Sequence, residues 1–174
     1  MSVLEKVNSN KVNWKALLIS IAVSLGTGVA SSLLTGGAMR EYGNLYQPPL
    51  APPGWLFPVV WTILYILMGI AAYLVWEAGF PDGGATGGER SDIRTALTLY
   101  LIQLLLNALW PVLFFNRQAY FLAFAELLLL WLAIYLTIKQ FKEISRAAAL
   151  LMLPYLAWVT FAAYLNLAIA FNAG

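Results

Sequence analysis

The chain has 174 residues, of which 61% are apolar and only 10% charged, with a net charge of +2 and a mean hydropathy of +0.76. A soluble domain carries about 25% charge, so this chain could not cover its apolar surface in water, and the small net charge excludes nucleic acid as a partner. Cysteine and histidine are both absent; this removes disulfides, thiol redox chemistry, Cys–His nucleophiles, histidine haem ligation and a protein-held zinc, and no metal or required cofactor is expected.

The fold expected is an all-α integral membrane protein: one domain over 1–174, a bundle of roughly five transmembrane helices. The first helix spans about 14–34, an apolar stretch with no charge after Lys15. Lysines ahead of an apolar run also suit a signal peptide, but this run exceeds a typical signal core and no small-x-small cleavage site follows it directly, which favours a retained helix. Ala22, Gly26 and Ala30 form a small-residue stripe on it that permits close helix contact. Residues 35–54 hold Gly36, Gly37, Gly43, Pro48, Pro49, Pro52 and Pro53, breakers that forbid a long helix. They form a long loop of the kind that tends to carry function.

The second helix, about 55–76, has Pro58 in its first turn, where a missing N–H costs little, and Trp55 and Trp76 bracket it as interfacial residues do. The glycine-rich run 79–88 does not join a strand to a helix and reads as a linker. A third helix covers about 92–115, with a kink or termination expected at Pro111. A fourth covers about 120–139 and a fifth about 147–171, with Pro154 inside it.

Charge placement gives an orientation. Lys6, Lys11, Lys15, Arg90, Arg94, Lys139, Lys142 and Arg146 fall at one end of this bundle, and only Arg40 and Arg117 at the other. The positive-inside rule then places the N-terminus in the cytoplasm, and the long loop and the C-terminus outside.

Polar side chains inside spans usually face the bundle interior or a cavity. Gln103, Asn107 and Trp110 share one face of the third helix; Trp61, Tyr65 and Met68 repeat that spacing on the second, and Trp158, Ala162 and Leu165 on the fifth, with Asn166 adjacent. Together they suit a pocket for a large, flat, mostly apolar ligand, although the same stripes also suit plain interhelical packing. Glu126 is the only carboxylate deep in a span; an interhelical partner role is favoured over a proton or ligand site. No phosphate-binding loop, nucleophile elbow or metal spacing is present, and no inverted repeat of the kind many transporters carry.

The stretches Pro-Pro-Gly-Trp (52–55), Val-Trp-Thr-Ile-Leu-Tyr-Ile-Leu-Met-Gly (60–69), Tyr-Leu-Val-Trp (73–76), Gln-Leu-Leu-Leu-Asn-Ala-Leu-Trp-Pro-Val-Leu-Phe-Phe (103–115) and Pro-Tyr-Leu-Ala-Trp-Val-Thr-Phe-Ala-Ala-Tyr-Leu-Asn (154–166) resemble, in order, the translocator protein family, also called tryptophan-rich sensory proteins or peripheral-type benzodiazepine receptors. The resemblance implies five transmembrane helices around a pocket beneath the first loop. It implies a membrane receptor role in tetrapyrrole handling or stress response, with ligands among porphyrins, haem and its precursors such as protoporphyrin, and sterols such as cholesterol. It further implies a homodimer.

By motif position the ligand-binding residues correspond to Tyr42, Trp61, Tyr65, Gln103, Asn107, Trp110, Pro111, Trp158 and Ala162. Some bacterial members degrade protoporphyrin in light, and by resemblance Trp61 and Trp158 are the catalytic candidates for that alternative; a porphyrin or sterol transporter is another. The chain departs from the family pattern at several places. Leu50 and Ala51 stand where a tryptophan is usual, Asn107-Ala108-Leu109-Trp110-Pro111 stands for the family's Asn-Trp-x-Trp-Pro and so loses one indole, and Glu126 replaces an aspartate. Leu167, with no basic residue after Arg146, leaves the C-terminal sterol motif incomplete. The small-residue dimer seam of the third helix is also missing, which shifts the expected dimer contact to Ala22, Gly26 and Ala30.

Overall fold

A computed structural model describes residues 12–36, 42–79 and 87–173. Lys6, Lys11, Arg40 and most of the glycine-rich linker lie outside them. The described residues form five helices: α1 (Trp14–Thr35), α2 (Leu56–Glu77), α3 (Gly87–Pro111), α4 (Tyr120–Ile144) and α5 (Arg146–Asn172). Each has 22 to 27 residues, about 33–40 Å of helix, and all five are apolar enough to cross a bilayer.

Local chemistry sets the helix ends. Asn13 caps α1 by accepting from the Ala16 N–H at 3.1 Å, and Gly36 ends it in the left-handed conformation, φ +60°, which glycine adopts without a Cβ penalty. Two ends differ from the sequence expectation. α3 begins at Gly87 rather than near Asp92, and α4 runs to Ile144 rather than stopping near Lys139. In both cases the charged residues at the membrane edge are good helix formers and continue the helix into water. Only Ser145, extended at φ −147°, breaks the α4–α5 run, and its side chain caps α5 through the Ala148 N–H. At the other end of α3 the proline acts as expected: the α-helix stops at Pro111 and widens into a π-helical turn, Val112–Asn116. Such turns often mark functional places.

The helices close a ring in the order α1, α2, α5, α4, α3. At the end away from the proline-rich loop the ring is filled by Ala71, Val75, Ala96, Phe141, Ala148 and Met152, all fully or nearly fully buried. There α1 meets α2 almost backbone to backbone. A Cβ built on Gly69 would lie 2.5 Å from the Ile21 Cα, and Ser20 Oγ donates to the Gly69 carbonyl at 2.8 Å. The proline-rich loop is tied to the opposite end. Tyr164 of α5 donates to the Pro49 carbonyl at 2.9 Å, and within the loop the Gln47 amide donates to the Tyr42 carbonyl at 2.7 Å.

Candidate functional site

Beneath that loop lies a cavity of about 310 Å³, at the lower bound for small-molecule sites. Four helices, the π turn and the proline-rich loop build it. From α2 come Phe57, Trp61 and Tyr65, one turn apart on a single face. α3 gives Asn107, Trp110 and Pro111, and the π turn swings Phe114 and Phe115 inward. α5 gives Ala162, Leu165, Asn166 and Ile169, and Tyr42 closes the top. α1 supplies the opposite wall, including Gly28, Ser31, Ser32 and Thr35.

The aromatic walls hold one another. Trp61 and Tyr65 lie 5.5 Å apart between ring centroids, Trp110 stacks on Phe114 at 5.0 Å, and Tyr42 meets Phe57 edge-on at 4.8 Å. Hydrogen bonds fix the amides behind them. Tyr65 donates to Asn107 Oδ1 at 2.6 Å, and Asn107 Nδ2 donates to the buried Tyr155 hydroxyl at 3.0 Å. The Trp110 indole donates to Asn166 at 3.0 Å, and Asn166 donates on to the Tyr120 carbonyl at 2.8 Å. Both amides are therefore positioned before any ligand arrives, the preorganisation that a binding site needs. Tyr42 differs: its buried hydroxyl has no partner among the described residues, and burial raises its pKa, so it stays a neutral O–H donor.

The cavity thus gathers Tyr42, Trp61, Tyr65, Asn107, Trp110, Pro111 and Ala162. Gln103 and Trp158 do not line it. Gln103 lies one turn deeper on α3, fully buried, with neither end of its amide partnered among the described residues. Trp158 turns toward the α2–α5 seam beside Val60, Leu64 and Pro154 and packs behind the cavity wall, its ring 5.8 Å from that of Phe57. Glu126 is also buried, with neither carboxyl oxygen partnered among the described residues; no interhelical hydrogen bond to it is formed. No cluster of ligating side chains fit to hold a metal occurs among the described residues.

The α1 wall was not anticipated. Its signal was in the sequence all the same: Ser20, Ser24, Gly28, Ser31 and Thr35 follow helical spacing on a face opposite the Ala22–Gly26–Ala30 stripe.

Comparison with known proteins agrees over nearly the whole chain. The sequence pattern of the TspO/MBR family matches residues 19–171. A tryptophan-rich protein TspO of Chlorobaculum tepidum is 40% identical over 88% of this chain and 92% of its own length. The human translocator protein is 37% identical over 87% and 85%, respectively, and the protein CrtK of Rhodobacter capsulatus is 34% identical over 82% of each.

Proposed function

This chain belongs to the TspO/MBR family of multi-pass membrane proteins, and on that premise we propose that it is a membrane-embedded receptor whose cavity binds a porphyrin, either protoporphyrin or haem. The observation that carries the reading is the cavity itself, with indole, phenol and phenyl rings on its walls and two prefixed amides among them. A planar macrocycle gains stacking from such rings, and apolar walls with few polar groups suit its largely apolar body. Tyr42, a neutral and unengaged donor at the loop end, is the group this reading assigns to the carboxylates of the ligand. In a dark titration of the protein in lipid, protoporphyrin is expected to quench tryptophan fluorescence at about one ligand per chain, because Trp61 and Trp110 lie in the wall; the absence of saturable quenching would reject the reading.

A second reading, light-driven oxidation of bound porphyrin, is favoured by one feature. Trp61 lies in the wall and is packed against both Tyr65 and Tyr155 at 5.5 and 6.0 Å, a set of oxidisable rings beside the ligand position. Trp158 does not line the cavity and would take part from behind its wall, where it packs beside Phe57. We also propose a cytoplasmic N-terminus, because Lys15, Arg94, Lys139, Lys142 and Arg146 lie at the end away from the proline-rich loop. A homodimer through the exposed outer face of α1, where Gly26 leaves open space, is the corresponding proposal for self-association.

A further inference from the structure

We propose that the cavity is filled from the bilayer, through a lateral mouth between the loop-end halves of α1 and α2, so that its ligands are those dissolved in lipid. The proposal rests on the cavity being a binding site, but not on the identity of the ligand.

The wall is unevenly covered. Every lining residue from α3, the π turn and α5 is buried or half-buried. The exposed ones are Val29 and Ser32 on α1 and Pro58 and Thr62 on α2, which together form two facing edges. Val29 and Thr62 each lie six residues inside their helix ends at Thr35 and Leu56, about 9 Å along the axis. With Ser32 and Pro58 nearer those ends, the exposed edges run from the loop end down to that depth.

The packing explains why the seam parts there. Toward the far end, α1 is fastened to α2 by the Gly69–Ile21 approach and the Ser20 hydrogen bond. A close approach follows at Gly28, whose α-carbon faces the edge of the Tyr65 ring with no room for a side chain. Beyond Gly28 the bonds of α1 turn to the α3 side: Ser31 Oγ reaches the Ala108 carbonyl at 3.5 Å, and Asn116 Nδ2 donates to the Leu34 carbonyl at 3.0 Å. Among the described residues no hydrogen bond joins α1 to α2 in this half, and Tyr65 itself acts as the wedge. The rim is also suited to lipid. Thr62 donates its hydroxyl to its own helix, at the Pro58 carbonyl, 2.7 Å away, so it offers hydrocarbon no unmet donor.

The absence of cysteine makes a clean test available. Ser32→Cys and Thr62→Cys are introduced together in the full chain, reconstituted in vesicles, and bridged with a bis-thiosulfonate that a reductant releases; mass spectrometry confirms the bridge. Protoporphyrin is supplied in the same vesicles, in the dark. Bridging is expected to slow association and release by about tenfold or more, and reduction to restore both rates. Unchanged rates in the bridged protein would overturn the mouth and point to passage under the loop. Should protoporphyrin bind neither form, the receptor reading fails by itself, and the mouth is then judged with a brominated alkane dissolved in the bilayer. Its quenching of Trp61, isolated as the difference from Trp61→Phe, should fall on bridging; undiminished quenching overturns the mouth.

Discussion

The two ends of the bundle are made from equally apolar helices, yet one is solid and the other hollow. At the end away from the loop, small residues bring backbones together, and Gly69 against Ile21 leaves no room for even a methyl group. At the loop end, Trp61, Tyr65, Trp110, Phe114 and Phe115 hold the helices apart, because rings that already lean on one another cannot collapse further into the centre. In a membrane there is no hydrophobic force to squeeze such a space shut, since lipid tails are as apolar as the helices. Side-chain size then decides where the protein is closed and where it is open.

The largest expected effect breaks the solid end. Gly69→Ala forces a methyl group into the Ile21 backbone and should cost about 2 kcal/mol, read as a lowered unfolding midpoint in detergent; a silent substitution would mean that α1 and α2 are not locked there. A smaller effect sharpens the contrast within the hollow end. Trp61→Leu removes a wall ring and should weaken dark protoporphyrin binding about tenfold, the scale of one lost aromatic contact. Trp158→Leu, outside the lining, should weaken it about twofold at most by the same reasoning. Equal losses would place both indoles on the ligand. The smallest effect concerns Glu126, whose carboxyl has no partner among the described residues. Glu126→Leu should leave the unfolding midpoint unchanged or raise it, because an apolar isostere removes an uncompensated buried polar group; marked destabilisation would reveal a partner.

Much of the site was legible in residue spacing. Trp61 with Tyr65, and Asn107 with Trp110, sit at helical intervals, and any inward-facing placement of one brings the other with it. Gln103 shares that face too, but spacing along an axis says nothing about depth, and the cavity stops one turn short of it. Trp158 and Ala162 are likewise a turn apart on α5, yet only the alanine reaches the space, while the indole turns to the α2–α5 seam beside Phe57. The α1 wall is not legible in this way, because its serines and threonine look like ordinary weakly polar residues of a spanning helix.

Hydropathy and period are properties of single segments, so the solvent, the number of helices and the faces they turn inward follow from local residue order. Which of those faces meet, how far down the hollow extends and which lining residues stay exposed on α1 and α2 were settled only by the packing of the helices. Those outcomes depend on the volumes of residues far apart in the chain pressing on one another, and a one-dimensional pattern does not contain them.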